Sequence, residues 1–386
     1  MKKRRILYNS DGWNIFNNYA HLGQPLTVEQ MRGYVTEVAG SQVDTFLLCV
    51  NAGLLYYPNG PIPMYGDPGH HTKGSDVKEP DAQGGVGENL TRLVRQGIDP
   101  VDRLIDMIRD GGMECILTFR MNDAHHLEPD TPLMPDFWKQ HPEWRTDPKA
   151  SHGGGAYNFA EPGIREFKLN LLRDLIDRYG RKIHGLELDW LRFPRNFNPG
   201  QEQPEILTGF MRDVRRFVKS PLQLSARVWH APERCREFAF DPFAWAGENL
   251  IDFLTISRFL RNGEGPLDVK GFKSRITNVP VYGSIEVGSH NVWPRTPEER
   301  AIYDEKVRPH LMATADDYRN ESLYLWNEGI DGIYLFNFFC YREYHIEPNF
   351  SLLNELGDPK TIRKPQKPLW YAKSVTELMT AVKGKE

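Results

Sequence analysis

Eight short apolar stretches, each followed by a polar or helical segment, constrain this chain more than any other feature. They are "RILYNS" (5–10), "TFLLCV" (45–50), "ECILTF" (114–119), "IHGLEL" (183–188), "LQLSARV" (222–228), "DFLTIS" (252–257), "VPVYGSI" (279–285) and "DGIYLF" (331–336). Near-continuous apolar runs of this length suit strands of a parallel sheet covered on both faces. Amphipathic helical patterns lie between them. In "REFKLNLLRDLIDRYG" (165–180), Phe167, Leu171, Leu175 and Tyr179 share one face, charges fill the other, and Gly180 can end the helix. "PVDRLIDMIRDGG" (100–112) begins with Pro100 and ends in two glycines, and "ADDYRNESLYLWNEG" (315–329) precedes the eighth run. Eight such alternations predict a (β/α)8 barrel, a TIM barrel of the α/β class. A doubly wound open sheet is the alternative, but no G-x-G-x-x-G follows the first strand. The reading is a single barrel domain over 1–357 with long βα loops, and a C-terminal tail, 358–386, packing on it.

In a barrel the C-terminal strand ends share one bowl. Those ends read Asp11, then Asn51, then Arg120 with Asn122, Asp123, His125 and His126. Next come Glu187, Asp189 and Arg192, then Arg227, Trp229 and His230, then Arg258, Glu286 and Asn337. Glu187 and Asp189 are two residues apart, so they project to one side of their strand. Glu286 closes the seventh strand, across the mouth. Opposed carboxylates are what glycosidic cleavage requires: one protonates the leaving oxygen while the other attacks C1 or activates water. Pairing of these carboxylates with Arg120, Arg192 or Arg227 as scaffold is the alternative use. Four arginines at strand tips suit a planar anion such as a uronate or sulfated sugar, or else neutralise the carboxylates.

Other chemistries find less support. "DAHH" (123–126), His230 and Glu286 match neither HExxH nor HxH, so the histidines read as sugar-binding and no metal or cofactor is expected. "YGSIEVG" is not a G-x-S-x-G elbow, and a phosphate loop is absent. A net charge of -4 gives no reason to expect nucleic acid. The basic start "MKKRRILY" has too short an apolar run for a signal peptide, and no run reaches membrane-spanning length. Four cysteines without a CxxC pair read as buried thiols. The expectation is a cytoplasmic protein that meets neither membrane nor nucleic acid.

"NFAEPGIREF" followed by a helix and "IHGLELDWLRFP" (183–194) resembles the strand-four region of the glycosyl-hydrolase-like family 10 group. "HPEWR" (141–145) and "NEGIDGIYLFNFF" (327–339) fit the same group, and the resemblance spans roughly residues 5 to 345. It implies a barrel acting on carbohydrate. The strand-four motif of family 18 chitinases, D-x-x-D-x-D-x-E, is similar more distantly and aligns with His184, Glu187, Asp189 and Leu191. Leu191 stands where that family has its proton donor, so that mechanism does not transfer. The Asn-Glu usual on strand four of the large retaining clan is also missing.

The expected function is hydrolysis of an oligo- or polysaccharide, with an acidic (uronate or sulfated) one among the candidates. Asp189 and Glu286 are the expected catalytic carboxylates, supported by Glu187. Asp11, Asn51, Arg120, Asn122, His125, Arg192, Arg227, Trp229, His230, Arg258 and Asn337 are the expected substrate-binding residues. A catalytically silent carbohydrate-binding barrel and a lyase or metal-assisted enzyme in the same bowl are the alternatives.

Overall fold

The computed structural model describes residues 4–70, 85–128, 130–149, 154–259 and 261–383. The middle of the long stretch 51–99 and parts of 121–160 therefore lie outside the described residues.

Eight parallel strands close into a barrel in sequence order. They are β1 (Ile6–Ser10), β2 (Val43–Cys49), β3 (Glu114–Arg120), β4 (Gly185–Asp189), β5 (Gln223–Trp229), β6 (Phe253–Ser257), β7 (Val281–Glu286) and β8 (Gly332–Phe336). All eight apolar stretches are strands, and the closed barrel replaces the open-sheet alternative. The helices that position them include α1 (Pro100–Asp110), α2 (Pro162–Tyr179), α3 (Pro204–Phe217), α4 (Ala315–Asn327) and α5 (Val375–Lys383). Asp99 caps α1 by accepting from the amides of Val101 and Asp102 at 3.0 and 3.1 Å. Its other oxygen accepts from the Tyr179 hydroxyl at 2.7 Å, which ties α1 to the end of α2.

Strand alternation sorts the side chains into two cores. Leu186 and Leu188 of β4, Leu224, Ala226 and Val228 of β5, and Val281 and Ile285 of β7 face the helix layer in the larger cluster. Leu7, Leu47, Ile116, Phe253, Tyr282, Tyr334 and Phe336 form a separate cluster inside the barrel. The remaining inward positions are polar. Register places Glu187 between Thr118 and Ser225, and Asp189 between Arg120 and Arg227. Glu187 and Asp189 thus share the inward face, one layer apart. At the N-terminal end, Arg4 closes the barrel on Glu114 at 2.7 Å and on Gln223.

All four cysteines are free and buried. After residue 358 the chain runs along the outside of the strand ends. The amides of Gln366 and Lys367 donate to Asp316, and Ala372 donates to His290 at 3.0 Å. Ala372, Val375 and Leu378 then pack on Val292, Tyr303, Val307 and Leu311 of the loop after β7. No described helix is long and apolar enough to cross a membrane.

Candidate active site

A cavity of 410 Å³ opens at the C-terminal end of the barrel. Such a volume is within the range of about 300–1,000 Å³ common for small-ligand sites. Two more open hollows, of 540 and 750 Å³, lie at the opposite end around His184 and Glu114. Charged residues line all three, and the cavity at the strand tips is set apart by its place on the C-terminal face of the barrel. Five of the expected site residues line it: Asp11, Arg120, His125, Arg192 and Asn337.

Local backbone geometry holds these residues in place. Asp11 follows β1 and precedes Gly12, whose φ of +76° suits glycine. A Cβ at Gly12 would stand 2.6 Å from the Cys49 carbonyl oxygen, so the β1 and β2 ends approach closely only because it is absent. Arg120 donates to Asp123 at 3.0 Å and lies 3.7 Å from Asp11. His125 Nδ1 is 2.9 Å from Asp123 Oδ1. Burial, together with Arg192 and Arg120, lowers the His125 pKa, which favours neutral imidazole. Donation from Nδ1 to Asp123 then leaves Nε2 to accept from Arg192 Nη2, 3.4 Å away. Burial works to raise Asp123, but His125, Arg120 and Arg192 outweigh it and hold it well below the usual carboxylate range.

The three carboxylates expected to do the chemistry lie beneath this cavity and do not line it. Glu187 and Glu286 are fully buried and Asp189 is 3% exposed. Arg227 is the centre of their layer, 3.2 Å from Asp189 and 3.6 Å from Glu286. Glu286 also accepts from Ser257 at 2.5 Å and Ser284 at 2.7 Å. Asp189 accepts from the amides of Leu191 and Arg192 at 3.1 and 3.2 Å, which fixes the turn that carries Arg192. Glu187 accepts from Thr118 at 3.0 Å and, across the barrel, from Tyr334 at 2.8 Å. Burial, reinforced by Asp189, pushes Glu187 up to about 7; burial also raises Glu286. Inward register and the pull of one guanidinium explain why these groups stop short of the mouth.

Other expected binding residues hold the framework. Asn51 pairs with the Arg120 main chain, accepting from its amide at 2.9 Å and donating to its carbonyl at 3.2 Å. Asn122 clamps the Tyr157 main chain in the same manner. Arg258 turns toward α4, reaching Glu321 at 3.3 Å and Asn262 at 3.0 Å. Trp229 stacks on Phe238 at 5.4 Å, and neither it nor His230 lines the cavity. Burial, with Arg258 and Arg234, lowers His230 to about 4. Trp190 is core, packed against Phe159 and Phe210. Among the described residues no three His, Cys, Asp or Glu side chains gather as a cation site.

The remaining cavity wall escaped the sequence reading. Glu343 and Tyr344 follow β8, Trp13 and Tyr19 follow β1, and Arg261, Trp293 and Arg308 come from the loops after β6 and β7. Glu343 meets solvent in the cavity but has protein packed around it. That enclosure and the charge of Asp11 push it up to about 7. Trp293 is 52% exposed, with the Arg261 guanidinium 4.0 Å over its ring. Arg261 in turn donates to the Val292 carbonyl and the Tyr303 hydroxyl, so this aromatic face is held in position.

No family model matches this chain, and no curated protein matches it. Solved structures do. Alpha-L-fucosidase isoenzyme 2 from Paenibacillus thiaminolyticus matches with a TM-score of 0.50 at 9% identity, over 92% of this chain and 48% of that one. A chitinase from Chromobacterium violaceum matches at 0.48 and 11% identity, over 92% of this chain and 98% of that one. A chitinase from Bacteroides thetaiotaomicron matches at 0.48 and 7%, over 95% and 100%. The chain is a TIM barrel. At 9% identity the likeness to the fucosidase shows the fold alone. The resemblance to the family 10 group has no matching family model beside it.

Proposed function

We propose that the protein is a glycoside hydrolase whose chemistry takes place in the cavity at the barrel mouth, on an oligo- or polysaccharide bearing acidic sugars. One observation carries the reading: two carboxyl groups in unlike surroundings, Asp11 and Glu343, face one cavity beside the exposed ring of Trp293. Asp11 lies against the Arg120 guanidinium, whereas Glu343 is raised to about 7. A carboxyl that keeps its proton up to about pH 7 is suited to the acid role, which falls to Glu343. Glu343 gives its proton to the glycosidic oxygen as the C1–O bond breaks. Asp11 attacks C1 or takes a proton from the water that does. Trp293 and Trp13 offer faces for sugar rings, and four arginines in the wall against two carboxylates favour an acidic sugar.

Asp189 and Glu286, the pair expected from the strand tips, act in this reading from below. They neutralise Arg227, and Asp189 also holds the turn of Arg192. The test is a screen of neutral, uronate and sulfated oligosaccharides against the wild-type protein and four variants. Asp11→Asn and Glu343→Gln are expected to lower kcat by about 10²–10⁴-fold while the protein stays folded. Loss of turnover confined to Asp189→Asn and Glu286→Gln would return the chemistry to strands four and seven. Sugar binding without turnover in the wild type would make the barrel a binding protein, and an ultraviolet-absorbing unsaturated product would make it a lyase.

A further inference from the structure

Among the described residues, the buried cation Arg192 has no paired counter-ion. It stands in the cavity wall at 7% exposure. Among the described residues its Nε and Nη1 have no hydrogen-bond partner, and Nη2 reaches only the His125 ring at 3.4 Å. Among the described residues no carboxylate is paired with it. Asp11, Asp123 and Asp189 act on it only across space, and Arg120 repels it. The other arginines of the strand tips are engaged: Arg120 with Asp123, Arg227 with Asp189 and Glu286, and Arg258 with Glu321. A buried charge left uncompensated is costly, so a chain that keeps one beside a cavity gains from a ligand that neutralises it. A guanidinium is suited to planar or tetrahedral oxyanions, which accept several N–H donors at once.

We propose that Arg192 binds an anionic substituent of the sugar, a uronate carboxylate or a sulfate ester, and so selects acidic over neutral glycans. This rests on the carbohydrate reading of the cavity and assigns the charge recognition to one residue. The carboxylate that fixes the Arg192 amide, Asp189, makes the group a preorganised one. His125, held by Asp123, supports its far nitrogen.

The experiment is calorimetric binding of thio-linked oligosaccharides of equal length, neutral, uronate and sulfated, to the wild-type protein at low and high salt. The acidic ligand is expected to bind about tenfold tighter or more, a difference of ~1.4 kcal/mol, and to lose that margin as salt rises. Whichever acidic ligand binds better, uronate or sulfate, names the substituent. Arg192→Met, checked for folding by its melting curve, is expected to bring the acidic ligand to the Kd of the neutral one, with Arg192→Lys between. Equal binding of neutral and acidic ligands by the wild type would overturn the proposal without need of a variant, as would a margin that survives Arg192→Met. Acid-selective binding with no turnover of the oxygen-linked sugars would leave it standing and overturn the hydrolase reading instead. Turnover of neutral and acidic sugars alike would do the reverse.

Discussion

Glu187 and Glu343 are both raised to about 7, and the same shift has different consequences at the two places. Glu343 faces the cavity, so its protonated form is the one that can donate to a leaving oxygen. kcat/KM is therefore expected to fall as pH rises through about 7, and pH–rate profiles of the wild type and Glu343→Gln check this, the variant lacking that limb. Glu187 is fully buried and does not line that cavity, and its titration acts on stability. Its folded pKa stands above the ordinary 4.5, so the folded state holds the proton more tightly. The stabilisation is complete below about 4.5 and is lost as pH rises through about 7. Glu187→Gln keeps an oxygen for Thr118 and Tyr334 but cannot ionise. Urea denaturation should show the wild type losing about 3 kcal/mol relative to this variant across that window. Glu37 and Glu343 titrate over the same range and cancel in the comparison. At this scale the sequence was half legible. Leu-Glu-Leu-Asp alternation announced that Glu187 and Asp189 share a face, but residue type could not say which carboxylates a guanidinium would draw under the floor. Glu343 was illegible because it lies beyond the last strand tip, in a short helical turn that brings it back over the bowl.

Among the elements, α1 and α2 depend on one side chain. Asp99 supplies the N-cap of α1 and the contact to Tyr179 at the end of α2. Asp99→Ala is expected to cost about 1–2 kcal/mol in urea denaturation, the usual value of a cap, with the glycan-cleaving rate unchanged. The helices were readable because amphipathic periodicity and terminal Pro and Gly are local signals. Strand alternation was equally readable and gives the inward face of β4, whereas its register between Arg120 and Arg227 came from the barrel's pairing. The loops after β6 and β7 were not. Arg261, Trp293 and Arg308 carry no periodicity, and only packing against Tyr303 and Val292 brings them to the wall.

For the whole molecule, one wall of the cavity is braced from outside by the end of the chain. Ala372, Val375 and Leu378 cover Val292, Tyr303, Val307 and Leu311, the last of which lines the cavity. Removing residues 368–386 should leave the eight-stranded barrel intact and free the segment that carries Trp293. The expected result is a rise of about tenfold in KM, or ~1.4 kcal/mol of lost binding, with far-ultraviolet circular dichroism retained. Unchanged KM in the truncated protein would mean that the loop keeps its form unaided.

The sequence by itself determined a parallel α/β sheet covered on both faces and pointed to a barrel, since eight apolar runs alternate with amphipathic helices; closure in place of an open sheet was decided by the structure. The sequence also showed polar strand tips and placed Glu187 and Asp189 on one face, and it led to the expectation that the site residues at the tips would share one bowl, of which Asp11, Arg120, His125, Arg192 and Asn337 line the cavity. Only the tertiary structure decided which of those charges are spent on each other. Pairing depends on which strands are neighbours and how deep each side chain sits, and neither is a local property. Arg227 therefore takes Asp189 and Glu286 into the barrel's interior, Arg258 is drawn off by Glu321, and Arg192 is left in the cavity wall with two buried donors unpaired among the described residues.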